Sequence, residues 1–232
     1  MEEIIASNPQ NNIPYINKFN LTGSVVHKYR PRPDVIVLTI AVKGHELHEA
    51  DYPNVAFYGQ EIVDSIDKSI SVEGRNYARV HIEGVIQTTR RETDEGVRFF
   101  QSLVGSKIYR TQTQMEQLSG KRGVGTHKAE SENTVCVLGQ VTNVWPMTRA
   151  GSDRVIGVTV TIRTQTDGRT NFPRIVCFNT NVPRALALKP GEIVCATAFM
   201  ETTNRNRPDG SRARYESAVA TEIVKVDPDT QS

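Results

Sequence analysis

Tyr29 and Trp145 stand 116 residues apart, each where an apolar run gives way to basic residues: Lys28-Tyr29-Arg30-Pro31-Arg32 in one place and Trp145-Pro146-Met147-Thr148-Arg149 in the other. An exposed aromatic face stacks on any nucleobase for roughly 1–3 kcal/mol, and Lys or Arg beside it neutralises phosphate. Flat rings flanked by cations therefore predict a surface for a single nucleic-acid strand. A lone Trp in a small domain commonly belongs to a core, but a strand end beside proline and arginine points outward. Strict alternation would set both rings on the face of Leu21 and Val137, so outward placement requires a bulge that shifts the phase.

A second set flanks two turns. Arg90, Arg91, Arg98, Phe99 and Phe100 surround Glu92-Thr-Asp-Glu-Gly96, and Arg205, Arg207, Arg212, Arg214 and Tyr215 surround Asn204-Arg-Asn-Arg-Pro-Asp-Gly210. On a projecting hairpin, basic and aromatic residues interleave so that one face stacks and the other neutralises phosphate. The alternative is a solvated hairpin whose aromatics support an oligomer interface. Lys107, Arg110, Arg154, Arg163, Arg169 and Arg174 either extend the path or are ordinary surface, and nothing local separates the two. Phe19, Phe57, Phe178 and Phe199 are read as core. The stretch from Glu46 to Glu73 holds seven carboxylates against one lysine and is expected to face away from a polyanion.

Other chemistries lack their residues. His45-Glu-Leu-His48 has its histidines three apart in a loop, not the i, i+4 helical pair of a zinc protease. No phosphate-binding glycine loop, zinc-spaced cysteines or nucleophile elbow occurs, and His27, His81 and His127 have no evident catalytic partners. No metal, cofactor or enzymatic activity is expected. Cys136, Cys177 and Cys195 are odd in number, widely spaced and set in apolar strands, and they read as buried free thiols.

The elements that must position these residues form an internal repeat. Phe19-Asn-Leu21-Thr-Gly23-Ser-Val25 opens one copy and Val135-Cys-Val137-Leu-Gly139-Gln-Val141 opens the other; both are apolar at alternate positions around a glycine, where a bulge or a close backbone approach is expected. Val35–Val42 and Val155–Ile162 follow as strands, with Ile36, Leu38, Ile40 and Val42 facing one core and Ile156, Val158, Val160 and Ile162 the other. A third strand comes next in each copy, at 54–58 and 174–178. A short helix follows it, carried by Ile62, Val63, Ile66 and Ile70 in the first copy and spanning 180–188, with Pro183 early, in the second. Two long strands joined by Gly-containing turns end each copy, at 77–91 with 97–110 and at 192–203 with 212–226.

With 232 residues the chain has room for two domains of about 100 residues. The expected division is a tail over 1–16, a domain over 17–114, a flexible linker over 115–132, a domain over 133–226 and a tail over 227–232. The formal net charge is only +2, so distribution matters more than sum: 1–114 holds 13 Lys/Arg against 14 Asp/Glu, and 133–232 holds 12 against 9, ten of them arginine. An acidic start without a long apolar run predicts neither signal peptide nor membrane span, and places the chain in the cytoplasm of a bacterial or phage-infected cell.

Five strands with a helix between the third and fourth form the OB-fold, a five-stranded Greek-key barrel. The fold class expected is thus all-β with short helices, as two tandem OB-folds. In detail, Asn20-Leu-Thr-Gly23-Ser-Val-Val26, Val55-Ala-Phe-Tyr-Gly59, Val80-His-Ile-Glu-Gly84 and the Thr-Arg-Arg turn ending in Asp-Glu-Gly96 resemble, in order and spacing, the bacterial single-stranded-DNA-binding protein family. The second copy resembles it more loosely, through Val137-Leu-Gly139-Gln-Val and its arginine-flanked Pro-Asp-Gly. The resemblance implies sequence-tolerant binding of single-stranded DNA in replication, recombination or repair, in a phage, plasmid or bacterial setting. It also implies four OB-folds per working unit, hence a homodimer of this chain, with replication or recombination proteins as further partners. The family's acidic, aromatic-tipped tail is not matched by Asp227-Pro-Asp-Thr-Gln-Ser232, so recruitment by that route is not expected. The alternatives are an OB-fold protein-interaction scaffold and an RNA-binding module, with a nuclease last.

Overall fold

The computed structural model describes residues 15–44, 50–72, 77–93, 96–111, 131–149, 151–166, 168–206 and 210–226; of 93, 97, 98, 205, 206 and 212 only the backbone is described. Residues 1–14 and 227–232 of the expected tails, most of the linker, the His45–His48 run and Arg207 lie outside these residues; Ile16, assigned to the first tail, instead begins a strand. The first copy forms β1 (Ile16–Arg32), β2 (Val35–Lys43), β3 (Ala50–Asp51), β4 (Asn54–Tyr58), α1 (Gln60–Ser69), β5 (Arg79–Thr93) and β6 (Gly96–Arg110). The second forms β7 (Glu132–Thr148), β8 (Val155–Thr166), β9 (Arg169–Asn171), β10 (Arg174–Cys177), α2 (Asn181–Leu186), β11 (Ile193–Asn206) and β12 (Arg212–Lys225). The short strands β3 and β9 have no counterpart in the sequence reading.

Each copy closes into a barrel. β1 pairs with β2 and β5, β2 with β4, β4 with β6 in parallel, and β6 with β5. β7, β8, β10, β12 and β11 close in the same way. The chain thus folds as two tandem OB-folds. Long strands rich in Val and Ile suit such barrels because alternate residues fill the interior while the others face outward. Among the described residues, no helix is long and apolar enough to cross a membrane.

The barrels share one sheet. β1 and β7 run antiparallel from Ile16↔Leu138 to Thr22↔Glu132, and Phe19 lies opposite its own repeat counterpart, Val135. A local two-fold axis therefore passes through that pair. Asn17 and Asn133, also counterparts, take both backbone groups of a residue on the adjoining strand: Asn17 Nδ2 donates to Ile86 O at 2.8 Å and Ile86 N to Asn17 Oδ1 at 3.0 Å, and Asn133 does the same with Met200 at 2.9 and 2.8 Å.

Two further contacts obey the same symmetry. Asp51-Tyr52-Pro53-Asn54 of the first barrel grips the β11–β12 hairpin: Thr202 N donates to Asp51 Oδ1 at 2.8 Å, Tyr52 N to Thr202 Oγ1 at 3.0 Å, and Asn54 N to the Glu216 carboxylate at 3.2 Å. Asn171-Phe172-Pro173-Arg174 of the second barrel grips the β5–β6 hairpin: Thr88 N donates to Asn171 Oδ1 at 3.2 Å, Phe172 N to Thr88 Oγ1 at 2.9 Å, and Arg174 N to Gln101 Oε1 at 2.8 Å. Each hairpin is thereby held by the other barrel.

Gly23 and Gly139 mark close approaches rather than bulges. A Cβ on either would lie 2.2 Å from a carbonyl oxygen, of Ala41 or Arg163 respectively. The bulges come two to four residues later, between Val25 and His27 and between Val141 and Asn143. They turn the second half of each strand over, which is why Leu21 and Val137 are buried and Tyr29 and Trp145 are not.

Candidate nucleic-acid interface

The outer face of the second barrel is built by β7, β8 and β10. Trp145 pairs with Thr159, which also pairs with Val176; Met147 pairs with Gly157; Arg174 pairs with Thr161. Successive outward rows along β8 lie about 7 Å apart. Phe178, just past β10, lies against Gly157, where a Cβ would stand 2.8 Å from the ring and 2.5 Å from Met147 Cε. The glycine thus lets Phe178 and Met147 settle flat on the sheet beside Trp145. Trp145 is 58% exposed and Phe178 36%. Arg149 and Arg163 are exposed on the same barrel, and neither pairs with a carboxylate among the described residues. Helix α2 carries no acid in its first turn.

The first barrel has the same plan with different charge. Tyr29 pairs with Val37, which pairs with Ala56, and Tyr58 pairs with Val35. Tyr29 and Tyr58 are both about half-exposed, and the His27 ring lies 5.6 Å from that of Tyr29. The cations around them are held by acids. Lys28 Nζ donates to the carbonyls of Asp67 and Ile70, both at 2.9 Å, closing the C-terminus of α1, and sits 2.7 Å from Asp67 Oδ1. Arg30 donates to Pro33 O and lies 3.0 Å from Asp64 Oδ1; Arg32 lies 3.6 Å from Asp34. A hydrogen bond from Gln60, with Arg30 beside it, holds Asp64 below the usual carboxylate range, and the Lys28 ammonium does the same for Asp67.

Of the acidic stretch, Asp64 and Asp67 consequently do not face away from the basic end of β1. The spacing that makes α1 amphipathic buries Val63 and Ile66 and turns Asp64 and Asp67 toward the end of β1.

The hairpins complete the surface. In β5–β6, Phe100 faces Thr89 and Phe99 faces Arg90, so a ring stands on each face of the ribbon. The Arg91 guanidinium lies 5.3 Å from the Phe100 centroid, within cation–π reach. Arg90 lies 3.6 Å from Glu92, with both side chains mostly in solvent. In β11–β12, Tyr215 faces Thr203, the position that matches Phe100, and Arg214 faces Asn204. Arg214 Nε lies 3.8 Å from Glu216. Arg98, Arg205 and Arg212 are placed by their backbone pairing, opposite Arg91, Ala213 and Asn206.

Three of the residues assigned to cores take other places. Phe178 lies outward because Ile175 and Cys177 take the two inward positions of β10. Phe199 is half-buried on the outer side of β11, opposite Val219. Ile156 is 48% exposed at the start of β8, where the ladder with β7 skips a residue between Met147 and Thr148. Phe19 and Phe57 are buried. Tyr58 and Phe178 are the aromatics that sequence reasoning missed; their signal was the aligned pair Asn54-Val-Ala-Phe-Tyr58 and Arg174-Ile-Val-Cys-Phe178, each ending on an outward ring.

Among the described residues, no three His, Cys, Asp or Glu side chains group as a metal site. No protein-family model and no curated protein sequence matches the chain. Among solved structures, the chain is similar to a deletion mutant of the single-stranded DNA binding protein from Thermus aquaticus, with a TM-score of 0.63 at 12% identity over 91% of this chain and 95% of that one. The wild-type Thermus aquaticus protein gives a TM-score of 0.59 at 13% identity, over 92% of this chain and 94% of that one. Near-complete coverage of both chains shows that this protein has the two-barrel fold of those binding proteins.

Proposed function

We propose that the protein binds single-stranded DNA without sequence preference and without chemistry, by stacking bases on its outer barrel faces and neutralising phosphates with arginine. One observation carries this: Tyr29, Tyr58, Trp145 and Phe178 hold exposed rings at matching positions of two barrels whose shared fold is that of single-stranded DNA binding proteins. Rings on a rigid sheet are presented at low entropic cost, and every base offers a face to them. The hairpins, with Phe99, Phe100, Arg91 and Arg214, extend the surface. Lys28, Arg30 and Arg32 belong to the proposed site as cations already balanced by carboxylates.

The test is a titration of oligo-dT followed by Trp145 fluorescence at two salt concentrations. Quenching that saturates, with an affinity that falls by a log–log slope of about 0.7 per phosphate neutralised, is expected. Unchanged fluorescence and mobility at low salt defeat the proposal. Competition with oligo-U of equal length separates DNA from RNA preference.

The setting we infer is replication, recombination or repair in a bacterial or phage-infected cytoplasm. A dimer of chains fits the outer face of the shared sheet, where Ile16, Leu138, Cys195 and Val224 line one row across four strands. Sedimentation equilibrium measures that state directly.

A further inference from the structure

The two clasps make the outer face of each barrel continuous with the hairpin of the other, and they do so with opposite charge. On the second barrel the crossing residue is Arg174. It stands on the outward row next to Trp145, its backbone N–H donates to Gln101, and its guanidinium donates to Phe99 O. Arg174 pairs with no carboxylate among the described residues, so a cation joins the Trp145–Phe178 face to the rings of the β5–β6 hairpin. On the first barrel the matching residue is Asn54. Its amide donates to Glu216 Oε1 at 2.6 Å, and Glu216 lies 3.8 Å from Arg214. That clasp thus carries a carboxylate, Glu216, where the other carries the amide of Gln101, and Lys28, Arg30 and Arg32 are balanced by Asp67, Asp64 and Asp34.

We propose that the protein holds two composite, unequal strand tracks, each made from both barrels. The primary track runs from Trp145 and Phe178 over Arg174 onto the β5–β6 hairpin, which offers Phe99 on one face of the ribbon and Phe100, under Arg91, on the other. The secondary track runs from Tyr29 and Tyr58 past Asn54 and Glu216 onto Tyr215. This rests on the function proposed above and adds to it which side chains share one bound strand. A short oligomer occupies the primary track first, and a long one occupies both.

The experiment uses the full chain and fluorescein-labelled oligo-dT of about eight nucleotides, within the roughly 4–16 that one OB-fold accommodates. Anisotropy is measured for wild type, Trp145→Ala, Phe100→Ala, Tyr215→Ala and the two double variants containing Trp145→Ala. All three rings are exposed, so the fold is retained. Phe100→Ala is expected to weaken binding about fivefold or more in wild type, as loss of one stacked base does. In the Trp145→Ala background, where the oligomer has moved to the secondary track, it should change affinity less than twofold. Tyr215→Ala should show the reverse, little effect in wild type and a clear loss in Trp145→Ala. Arg174→Gln, which keeps the backbone clasp, should lower the salt slope by about 0.7. If Tyr215→Ala rather than Phe100→Ala follows the primary pattern, tracks stay within one barrel and the proposal is overturned. If wild type binds no oligomer at low salt, the proposed function itself fails, and the tracks with it.

Discussion

At Trp145 and Tyr29 the same position of the repeat carries unequal surroundings. Trp145 stands among arginines with no carboxylate partner among the described residues, whereas Tyr29 leans on His27 between two cations held by α1. Trp145→Ala is therefore expected to weaken oligo-dT binding about tenfold or more, and Tyr29→Ala by only a few-fold, as read by anisotropy with labelled oligomer. The opposite ranking would show that paired cations still serve phosphate. Cys177 offers a second residue-scale test. Full burial pushes its thiol up from 9.0 to about 11. The folded state then keeps a proton that the unfolded chain releases, so the stabilisation is complete below pH 9 and declines as pH rises toward 11. Urea unfolding should lose about 2 kcal/mol between pH 8 and pH 10.5 from this group, and the loss should shrink by that amount in Cys177→Ala.

The elements divide into those legible in sequence and those that needed long-range contacts. Alternation fixed the strands, because each barrel wall buries one face, and the spacing of Ile62, Val63 and Ile66 fixed α1. Which way a strand turns after a bulge was not legible: nothing local at Val25–His27 distinguishes a bulge from regular pairing, and that single skip decides whether Tyr29 is core or surface. The clasps were hidden for another reason. Asp51-Tyr-Pro-Asn54 and Asn171-Phe-Pro-Arg174 are visibly alike, but their partners Thr202, Glu216, Thr88 and Gln101 lie 73 to 162 residues away in sequence. The two clasps also act as controls for each other. Asp51 is fully buried, and its Oδ2 has no hydrogen-bond partner among the described residues, whereas its counterpart Asn171 does the same work without a charge. A buried, half-satisfied carboxylate is costly. Asp51→Asn should therefore raise the unfolding free energy by about 1 kcal/mol, seen as a higher urea midpoint at unchanged slope. A lower midpoint would mean that the charge itself is needed.

For the whole molecule, the question is whether two barrels amount to two folding units. Phe19 and Val135 meet on the local axis, both buried, and the cores of the two barrels form one continuous apolar cluster through them. β1 is simultaneously a wall of its own barrel and the partner of β7, so β1 cannot leave without exposing Val135 and Val137 of the other barrel. The clasps add hydrogen bonds in both directions between barrels. A perturbation confined to one barrel should thus be felt in the other, and Gly23 supplies one. An alanine there would drive its Cβ to 2.2 Å from Ala41 O, a backbone atom that cannot swing aside, which costs about 1–3 kcal/mol or more in a packed wall. The chain's only tryptophan, Trp145, reports on the second barrel, far along the chain from Gly23. Gly23→Ala should lower the urea midpoint seen by Trp145 fluorescence as much as the midpoint seen by far-ultraviolet circular dichroism, with a single coincident transition. If the tryptophan transition stays at its wild-type midpoint while the dichroism splits in two, the barrels fold independently and the shared sheet does not couple them.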